Sequence, residues 1–383
     1  MRITHVFHNY YPILGGMERA VQQLAEEQAK YGHEVHLITS IIKRQRTPNE
    51  ESINGVRIHR VESVRLNYAD LTCPIEVKKQ LLSDSDVVHC HGQNSLFSLI
   101  FAQWAKRVEA RLIFSFLSVE TLNDHPNTLV KFVGSFYARM ATKKAIEISD
   151  LILVRNLRDQ KILKEKYKAD SAILPDGLPE YYFNVEKESQ EEFRAKFDIK
   201  QDKFFLFIGR LHELKGPHIL IKALRNIRED VAVVFIGPDG GFRREVMRLS
   251  PALNVDSRVR FLGCMDERTK IQAIDSSVAL VVPSISNYVE AYSLVMSEAW
   301  ARGKPVIASK VGALPYRARD NVNGFLIEPS SPNSLANAMI RILDNPEQAR
   351  KMGINGRNSI CAWTWKEVAS KSIKYYMLDE AKK

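Results

Sequence analysis

The sequence has few cysteines and lacks a long hydrophobic run. Its four cysteines are scattered along the chain without a metal-binding spacing, so we expect reduced thiols in a cytoplasmic protein. No apolar run approaches the roughly 20 residues that are needed to cross a bilayer. The first residues, MRITHVFHNYYP, lack the apolar core of a signal peptide and predict a strand instead. These absences predict a cytoplasmic protein, which could at most lie peripherally on the inner face of the membrane.

The length and charge of the chain limit its class. A chain of 383 residues exceeds the roughly 250–300 residues at which one hydrophobic core usually divides, so we expect two domains. Hydrophobic residues make up 45% and charged residues 26%, which is ordinary for a soluble globular enzyme. The formal net charge of +10 favours an anionic ligand. Because no basic motif is interleaved with aromatic residues, we expect no nucleic-acid partner.

Predicted strands and helices alternate in the first half. A strand at 3–7 is followed by a loop that ends in Gly15 and Gly16, a helix at 17–31 and a strand at 34–39. This order is typical of half of a nucleotide-binding fold, although a plain tight turn would show the same glycines. Further strands are predicted at 55–61, 86–90, 111–117, 151–154 and 171–174. The alternation predicts a parallel sheet with helices on both faces.

Two histidines lie at the end of the strand at 86–90. His89 and His91 are two residues apart, so they point to the same side of that strand. One of them could line a binding cleft. The alternative is a hydrogen-bonded structural histidine, which we favour for His89. We expect no metal here, because no third ligand follows at a recognisable spacing.

The segment 129–144 is basic, aromatic and roughly helical. It contains four cations, and no acid occurs between Asp124 and Glu147. Such a segment could dock on an anionic membrane or hold an apolar acceptor. The alternative, which we favour, is a core helix with a solvated basic face, since such helices are common in soluble proteins.

The pattern of strands and helices restarts after a polar stretch at 184–202, which predicts a linker and a short helix. We therefore expect one domain at 1–184 and a second at 185–364. Arg210 and Lys215 flank the end of the second domain's first strand. A guanidinium and an ammonium at the ligand-binding edge of a parallel sheet could neutralise a diphosphate, whereas either cation alone could be an ordinary surface residue.

The stretch 281–309 is the part of the chain around which the predicted site is organised. A buried strand ends there, Glu290 follows in a loop, and Glu298 lies in the next predicted helix, at 292–302. A helix N-terminus suits a phosphate, and carboxylates accept hydrogen bonds from hydroxyl groups. The unit therefore suits a ligand with both a phosphate and sugar hydroxyls, although an ordinary βαβ unit with solvated acids would share these features.

These motifs resemble those of the retaining glycosyltransferases of family four, which have the GT-B fold. The resemblance covers nearly the whole chain, and its most specific part is the pair of glutamates with the upstream Arg210 and Lys215. The matching motifs are PILGGME (12–18), DVVHCHG (86–92), GRLHELKG (209–216), FLG (261–263), VPS (282–284), EAYSLVMSEA (290–299), GKPVIA (303–308) and NGFLIEP (323–329).

The resemblance implies an α/β fold of two Rossmann-like domains, whose parallel sheets face each other across a cleft. The first domain would bind the acceptor and the second the nucleotide sugar, and a C-terminal helix in 365–383 would return to the first domain. The resemblance implies that Arg210 and Lys215, beside Gly209, bind the donor diphosphate, and that the backbone of Ser293, Leu294 and Val295 caps its phosphates. Glu290 would contact the transferred sugar, Glu298 the ribose and Met265 the base. The loop at Gly15 and Gly16 would close on the donor. Such enzymes are usually metal-independent and use no cofactor.

Four positions depart from the family's pattern. Leu117 stands where a histidine beside the reacting sugar is common, and leucine can neither donate a hydrogen bond nor transfer a proton. Ala313 and Tyr316 depart from a Gly-Gly-x-Pro-Glu motif, and Asp176 replaces a common asparagine. His91 could partly substitute for the missing histidine, or the donor could differ.

We therefore expect a retaining glycosyltransferase that moves a hexose-type sugar from a nucleotide diphosphate, UDP in preference to GDP, to an acceptor hydroxyl on a glycan, lipid or small molecule. Two other classes stay open. One is a catalytically silent relative that binds a nucleotide sugar or serves as a partner subunit. The other is a sugar-nucleotide epimerase on the same frame.

Overall fold

The computed structural model describes residues 1–11, 15–41, 47–66, 68–184, 190–228 and 230–378. The chain forms two compact units. The first contains Met1–Gly177 together with Trp363–Lys383, and the second contains Leu178–Ala362. The division therefore falls at 177/178, whereas the sequence places it at 184/185. Residues 185–189 and 379–383 of the predicted domain limits lie outside the described residues.

The first unit is built on one sheet with helices between its strands. Its strands are β1 (Arg2–Val6), β2 (Glu34–Ile41), β3 (Glu50–Ile53), β4 (Val56–Arg65), β5 (Thr72–Pro74), β6 (Val87–His91), β7 (Arg111–Phe116), β8 (Leu151–Val154) and β9 (Ala172–Ile173). Its helices in this part of the chain are α1 (Gly16–Lys30), α2 (Leu96–Arg107), α3 (Ser135–Ile148) and α4 (Leu157–Ile162).

The strand order of this sheet is β3-β4-β2-β1-β6-β7-β8-β9. From β4 to β9 the neighbours along this path are parallel. The central strands are almost entirely buried, as expected for a parallel sheet that is covered on both faces. The reversal of strand order at β1 places the carboxyl ends of β1 and β6 at the position where open α/β sheets bind ligands.

The sequence did not indicate β3 and β5, which pair with β4 in antiparallel fashion. Both strands are short, and β3 has the sequence EESI, in which only one residue is apolar. A strand of this kind gives neither a period-two pattern nor a buried apolar run, so it is recognised only from its pairing.

The second unit repeats the architecture with a fully parallel sheet in the order β12-β11-β10-β13-β14-β15. Its elements are α5 (Gln190–Lys196), β10 (Lys203–Ile208), α6 (Pro217–Leu224), β11 (Val231–Ile236), α7 (Arg243–Ala252), β12 (Val259–Gly263), α8 (Glu267–Ser276), β13 (Ala279–Val282), α9 (Leu294–Ala301), β14 (Val306–Ser309), β15 (Gly324–Ile327), α10 (Pro332–Asp344) and α11 (Pro346–Ile360). The two parallel sheets confirm the predicted α/β class.

The last described helix, α12 (Trp365–Met377), belongs to the first unit although it follows the second in sequence. It packs on α1, and its buried side chains Trp365, Val368 and Tyr376 join the same apolar cluster as Leu24 of α1. The predicted return of the C-terminal helix is thus observed over its described residues. Within the described part of the chain, every helix is too short or too polar to cross a bilayer.

Candidate active site

Two loops at the carboxyl edge of the second unit's sheet are held together at Gly216. This residue has a φ of +70°, and a Cβ atom there would lie 2.0 Å from the backbone oxygen of Pro283. Only glycine allows this approach without displacing backbone. The loop after β10 is therefore pressed onto the loop after β13, which carries Lys215 toward Glu290.

Lys215 and Glu290, predicted separately from their motifs, form an ion pair. The Lys215 Nζ donates to Glu290 Oε1 at 2.7 Å and to the Val289 backbone oxygen at 3.1 Å. The Ser284 hydroxyl donates to the same carboxylate oxygen at 2.5 Å. The Glu290 side chain is buried, whereas the Lys215 side chain is 30% exposed. One side of the lysine is thus open to a ligand while the carboxylate is fixed beneath it.

Arg210 lies in the loop directly after β10 and is exposed, next to the half-buried Gly209. Gly240, in the loop after β11, comes so close that a Cβ atom there would lie 2.7 Å from the Arg210 Cγ. The loop after β11 thus limits the position of the arginine stem. Its guanidinium stays at the solvent-facing edge, where it can meet an anionic group.

The start of α9 leaves its first backbone N–H groups available. Ser293, the residue before the helix, has a φ of +68°, and its side chain makes no capping hydrogen bond. The helix was predicted at 292–302 and is observed at Leu294–Ala301. It begins later than predicted because Ser293 has a left-handed backbone conformation. The backbone of Ser293, Leu294 and Val295 lies where the sequence predicts a phosphate, and a helix N-terminus suits an anion.

Arg317 stabilises this helix start and was missed by the sequence analysis. Its guanidinium donates to the backbone oxygens of Tyr292 and Ser293 at 2.7 and 2.8 Å and to the Ser297 hydroxyl at 2.6 Å. The Arg317 Cζ also lies 3.8 Å from the centroid of the Tyr292 ring. The sequence signal stopped at Tyr316, since the family motif ends there.

Glu298 is bound by a lysine that the sequence did not indicate. The Lys270 Nζ donates to Glu298 Oε1 at 3.0 Å and also binds Glu267 at 3.0 Å. The nearby Tyr182 hydroxyl donates to Glu267 at 2.7 Å. Among the described residues, nothing donates to the buried Glu298 Oε2. A buried acceptor without a partner is costly, so this oxygen is suited to receive a ligand hydroxyl.

Burial and charge act against each other in this cluster. Burial raises the pKa of Glu298, and the ammonium of Lys270 offsets only part of that rise. Burial also disfavours the charge on Lys270, but Glu298 and Glu267 outweigh it and raise the pKa of the lysine. Lys270 therefore stays charged and keeps Glu298 closer to ionisation than burial alone would allow.

Met265 follows β12 at the same edge of the second sheet and is half-buried. It precedes Asp266, which caps α8 by accepting a hydrogen bond from the Thr269 backbone N–H at 2.8 Å. The cap fixes the start of α8, the helix that also carries Lys270. Met265 thus lies at the same edge as the other predicted donor-side residues, with β11 between its strand and β10.

The glycine turn of the first unit is braced by Glu18. Gly15 precedes α1, and its N–H donates to Glu18 Oε2 at 3.0 Å, while Asn9 donates to Glu18 Oε1 at 3.2 Å. A Cβ atom on Gly16 would meet no atom of the described residues within 4 Å. Packing among the described residues therefore gives no reason for glycine at position 16. Pro12, which begins the matching motif, lies outside the described residues.

His91 and His89 lie in a buried network with a third histidine, His5. The His5 Nδ1 and His91 Nε2 are 2.9 Å apart, and the three imidazoles are close enough to form a possible metal-binding group. The sequence argument against a metal rested on the lack of a third ligand at a recognisable spacing, and His5 lies close to both histidines although it is far from them in sequence. His5 was missed because it lies on the neighbouring strand β1, paired with His89 but far from it in sequence.

The hydrogen bonds of this network assign the histidines a structural role. Because Gln28 donates through Nε2 to Ser372 and Tyr376, its Oε1 must accept from His5 Nε2. The His89 Nδ1 and Nε2 contact the Tyr376 and Ser115 hydroxyls, each at 2.6 Å. Burial lowers the pKa of His5 to about 4 and those of His89 and His91 well below their usual value. Neutral imidazoles satisfy these contacts without an ion.

His91 and Leu117 differ in accessibility. His91 is 4% exposed and lines a pocket with about 30 Å³ of space for water, which is enough for about two waters and too small for a sugar. Leu117 is half-buried against the apolar cluster of Phe7 and Tyr10, and its N–H donates to Gln93 at 3.2 Å. Among the described residues, position 117 therefore offers an apolar side chain in place of the imidazole that the family pattern has there.

Comparison with known proteins agrees with this architecture. The family described as "Glycosyl transferase 4-like domain" matches residues 15–152, and "Glycosyl transferases group 1" matches residues 189–359. An uncharacterized glycosyltransferase of Methanocaldococcus jannaschii is 26% identical, over 99% of this chain and 98% of that protein. The shared frame thus extends over nearly the whole length of both chains.

Solved structures show the same fold. Sucrose-phosphate synthase from Thermosynechococcus elongatus aligns with a TM-score of 0.77 and 23% identity, covering 98% of both chains. HepE from Anabaena, solved in complex with UDP, aligns with a TM-score of 0.77 and 17% identity, covering 98% of this chain and 99% of that one.

The fold is therefore GT-B, as predicted, with two Rossmann-like units that each contain a parallel sheet. The chain belongs to the group 1 glycosyltransferases and resembles family four. It is thus a transferase.

Proposed function

We propose that this glycosyltransferase moves a hexose from a nucleotide-diphosphate donor, UDP in preference to GDP, to an acceptor hydroxyl with retention of anomeric configuration. One observation carries the proposal: Arg210, Lys215, Glu290 and Glu298 lie on loops or a helix at one edge of one parallel sheet, with an unpartnered carboxylate oxygen among them. HepE, which shares the fold, was solved with UDP. The acceptor remains a glycan, a lipid or a small molecule.

In the proposed reaction the bond between the sugar's anomeric carbon and the diphosphate oxygen breaks, and the diphosphate leaves with the electron pair. Arg210, Lys215 and the N–H groups at the start of α9 stabilise the charge that develops there, so neither a metal nor a cofactor is required. The acceptor oxygen attacks on the same face and gives its proton to the departing phosphate oxygen. Glu290 orients the sugar by accepting hydrogen bonds from its hydroxyls, and Glu298 accepts a hydrogen bond from a ribose hydroxyl.

The donor is tested first by thermal unfolding with UDP, GDP, ADP and their hexose conjugates, without metal, on the wild type and on Arg210→Ala. A ligand that binds only the folded state stabilises it by about 2.7 kcal/mol at 100 times its dissociation constant. We expect a shift with one nucleotide family that is lost in the variant. A shift that the variant retains would contradict the assignment of Arg210.

Lys215→Ala tests the chemistry. Loss of one charge that stabilises the leaving group should lower kcat about 100-fold or more. The fold should stay intact because Ser284 still donates to Glu290, but the melting temperature should fall, since the buried carboxylate loses its cation. Lys222→Ala, at an exposed position on α6, is the matched control and should retain full activity. Near-normal sugar transfer by Lys215→Ala would refute the proposed role.

Product analysis separates the proposal from its alternatives. Nuclear magnetic resonance of the product gives the anomeric configuration, and inversion would contradict the retaining mechanism. Donor binding without transfer or slow donor hydrolysis would indicate a catalytically silent relative. Conversion of the donor in the absence of an acceptor would indicate an epimerase. We also propose a cytoplasmic location, with the protein peripheral to the inner face of the membrane.

A further inference from the structure

The segment 129–144 presents its apolar side chains to solvent, which contradicts the core-helix interpretation favoured from sequence. Residues Val130–Gly134 form a π-helical turn that continues into α3. The exposed fractions are 72% for Leu129, 72% for Phe132, 62% for Val133, 68% for Phe136 and 58% for Met140. We call these five side chains the apolar stripe.

The spacing of the apolar stripe places it on one helical face. Consecutive members are three, one, three and four residues apart, so each has a neighbour in the stripe at a spacing of three or four residues along the helical segment. The opposite face of α3 is the one that packs inward, through Ala138, Ala141 and Ala145. The solvent-facing side of a surface helix is normally polar, whereas here both sides are apolar.

The exposed apolar area is large for a surface that faces water. Two phenylalanine rings exposed by about 70% alone present on the order of 250 Å². Continuous apolar patches of several hundred square ångströms usually mark an interaction site. We therefore expect the apolar stripe to be an interaction site.

Cations lie beside the apolar stripe. Lys131, Arg139 and Lys143 are exposed. Lys144 pairs with Glu147 at 3.1 Å, so that lysine and the next acid along the chain largely offset each other. The remaining charge is positive, and an apolar face bordered by cations is typical of helices that lie in the interface of an anionic membrane.

We propose that the apolar stripe, with its adjacent cations, docks the first unit on the surface of an anionic phospholipid bilayer. The helix would lie parallel to the surface, with its apolar side chains about 5–10 Å into the headgroup and acyl boundary. The inference deepens the proposed peripheral location by naming the surface that makes the contact, and it does not depend on the proposed sugar transfer, because docking requires neither donor nor acceptor.

Two other occupants fit less well. In a symmetric dimer through this face, both subunits would contribute the same positively charged patch, so Arg139 and Lys143 would be brought close to like charges. A soluble acceptor would need a concave site, whereas the apolar stripe is the outward face of a helix. An anionic bilayer satisfies both the apolar area and the charge.

The test is co-sedimentation of the full chain with vesicles, without nucleotide or acceptor. One set consists of neutral phosphatidylcholine, and the other also contains phosphatidylglycerol. We expect at least tenfold stronger binding to the anionic vesicles at low salt. Equal binding to both sets, or no binding to either, would overturn the proposal.

Two pairs of variants locate the contact. Phe132→Ser with Phe136→Ser should weaken binding at least tenfold, whereas Met247→Ser with Ile354→Ser, at exposed apolar positions of the second unit, should leave it unchanged. Arg139→Gln with Lys143→Gln should weaken binding by about fivefold for each cation. Lys161→Gln with Lys164→Gln makes the same change in net charge on α4 and the turn after it, and should have little effect.

The folding of each variant is checked by its melting temperature. If the phenylalanine pair does not fold, Leu129→Ser with Met140→Ser replaces it, and the same tenfold loss is expected. Equal losses in the test and control pairs would overturn the proposal, because they would indicate attraction by total charge or general hydrophobicity. A dimer seen by light scattering without lipid, and lost in the phenylalanine variant, would instead identify a second copy as the partner.

Discussion

Each of the two buried glutamates of the donor-side edge is paired with its own lysine. Glu290 is bound by Lys215, which is partly exposed, and Glu298 by Lys270, which is mostly buried. The first lysine can leave its carboxylate to meet a phosphate. The second is held between two glutamates and has no such freedom. Lys270 is therefore a positioning residue that acts through Glu298.

Replacement of Lys270 tests this role. In Lys270→Met the carboxylate of Glu298 loses its cation, so burial should raise its pKa further. A group whose folded pKa is raised loses stability as pH rises through that pKa. We expect about 3 kcal/mol of destabilisation near pH 8 and a smaller loss near pH 5. The donor KM should rise about tenfold, and the acid limb of the kcat/KM profile should move to higher pH.

The neutral double variant distinguishes charge from packing. Lys270→Met with Glu298→Gln removes the unpaired carboxylate, so much of the lost stability should return while donor binding stays weak. Thermal unfolding at several pH values and initial-rate kinetics provide the readouts. A stability deficit that is independent of pH, or a pH profile that does not move, would show that Lys270 only fills space.

At the scale of single residues, the sequence predicts residues that belong to motifs and misses the residues that hold them through hydrogen bonds. Arg210 and Glu290 were found because their motifs are local in sequence. Lys270 and His5 gave no such signal, since each is far in sequence from the side chain that it contacts. Hydrogen bonds between distant segments arise from tertiary packing, and no spacing rule in one sequence predicts them.

At the scale of elements, the start of α9 depends on an arginine from a later loop. Arg317→Lys keeps the charge but cannot make the same planar set of hydrogen bonds to Tyr292, Ser293 and Ser297. We expect a loss of about 2 kcal/mol in stability and weaker binding of the donor diphosphate. Arg319→Lys, at an exposed position, is the control. Unchanged donor affinity in Arg317→Lys would contradict the positioning role.

The docking of α12 should depend on pH. Burial holds the pKa values of His5, His89 and His91 below that of a free histidine, so the folded state resists protons that the unfolded chain accepts. Such groups stabilise the fold above about pH 6.5, and this stabilisation is lost as pH falls toward 4. Each imidazole should cost on the order of 1 kcal/mol per pH unit in that window.

Hydrogen exchange of the peptide 365–377 measures this effect directly, since Tyr376 of α12 binds both His89 and Gln28. Protection should fall between pH 6.5 and 5. His89→Gln should reduce the slope of melting temperature against pH, while His125→Gln, outside the network, should not. An identical slope in His89→Gln and the wild type would refute the assignment.

The prediction of elements succeeded where the apolar pattern was strong, and it failed where it had to indicate which side of a helix is buried. The central parallel strands were predicted within a residue or two. The apolar residues of α3 were also recognised, but apolar positions on both sides of a helix do not indicate which side is buried. The alanines of α3 face the core, and the larger apolar side chains face solvent. Only the packing of α3 on α2 settles this orientation.

At the scale of the whole molecule, the two units differ in how they use the chain. The second is continuous, whereas the first is assembled from two segments that are separated by the entire second unit. The family resemblance implied the return of the last helix, and no composition or periodicity would have indicated it. The number of domains, in contrast, was predicted from the length of the chain alone.

This difference predicts how fragments behave. Residues 178–362 should unfold cooperatively on their own. Residues 1–177 should aggregate, because removing α12 exposes Leu24 and leaves Gln28 and His89 without Tyr376. Joining 363–383 to residue 177 through a flexible glycine–serine linker should restore a cooperative transition, measured by circular dichroism during heating. A stable fragment of residues 1–177 would show that the first unit does not need α12 to fold. The contact of His89 with Tyr376 would then not explain a pH dependence of stability.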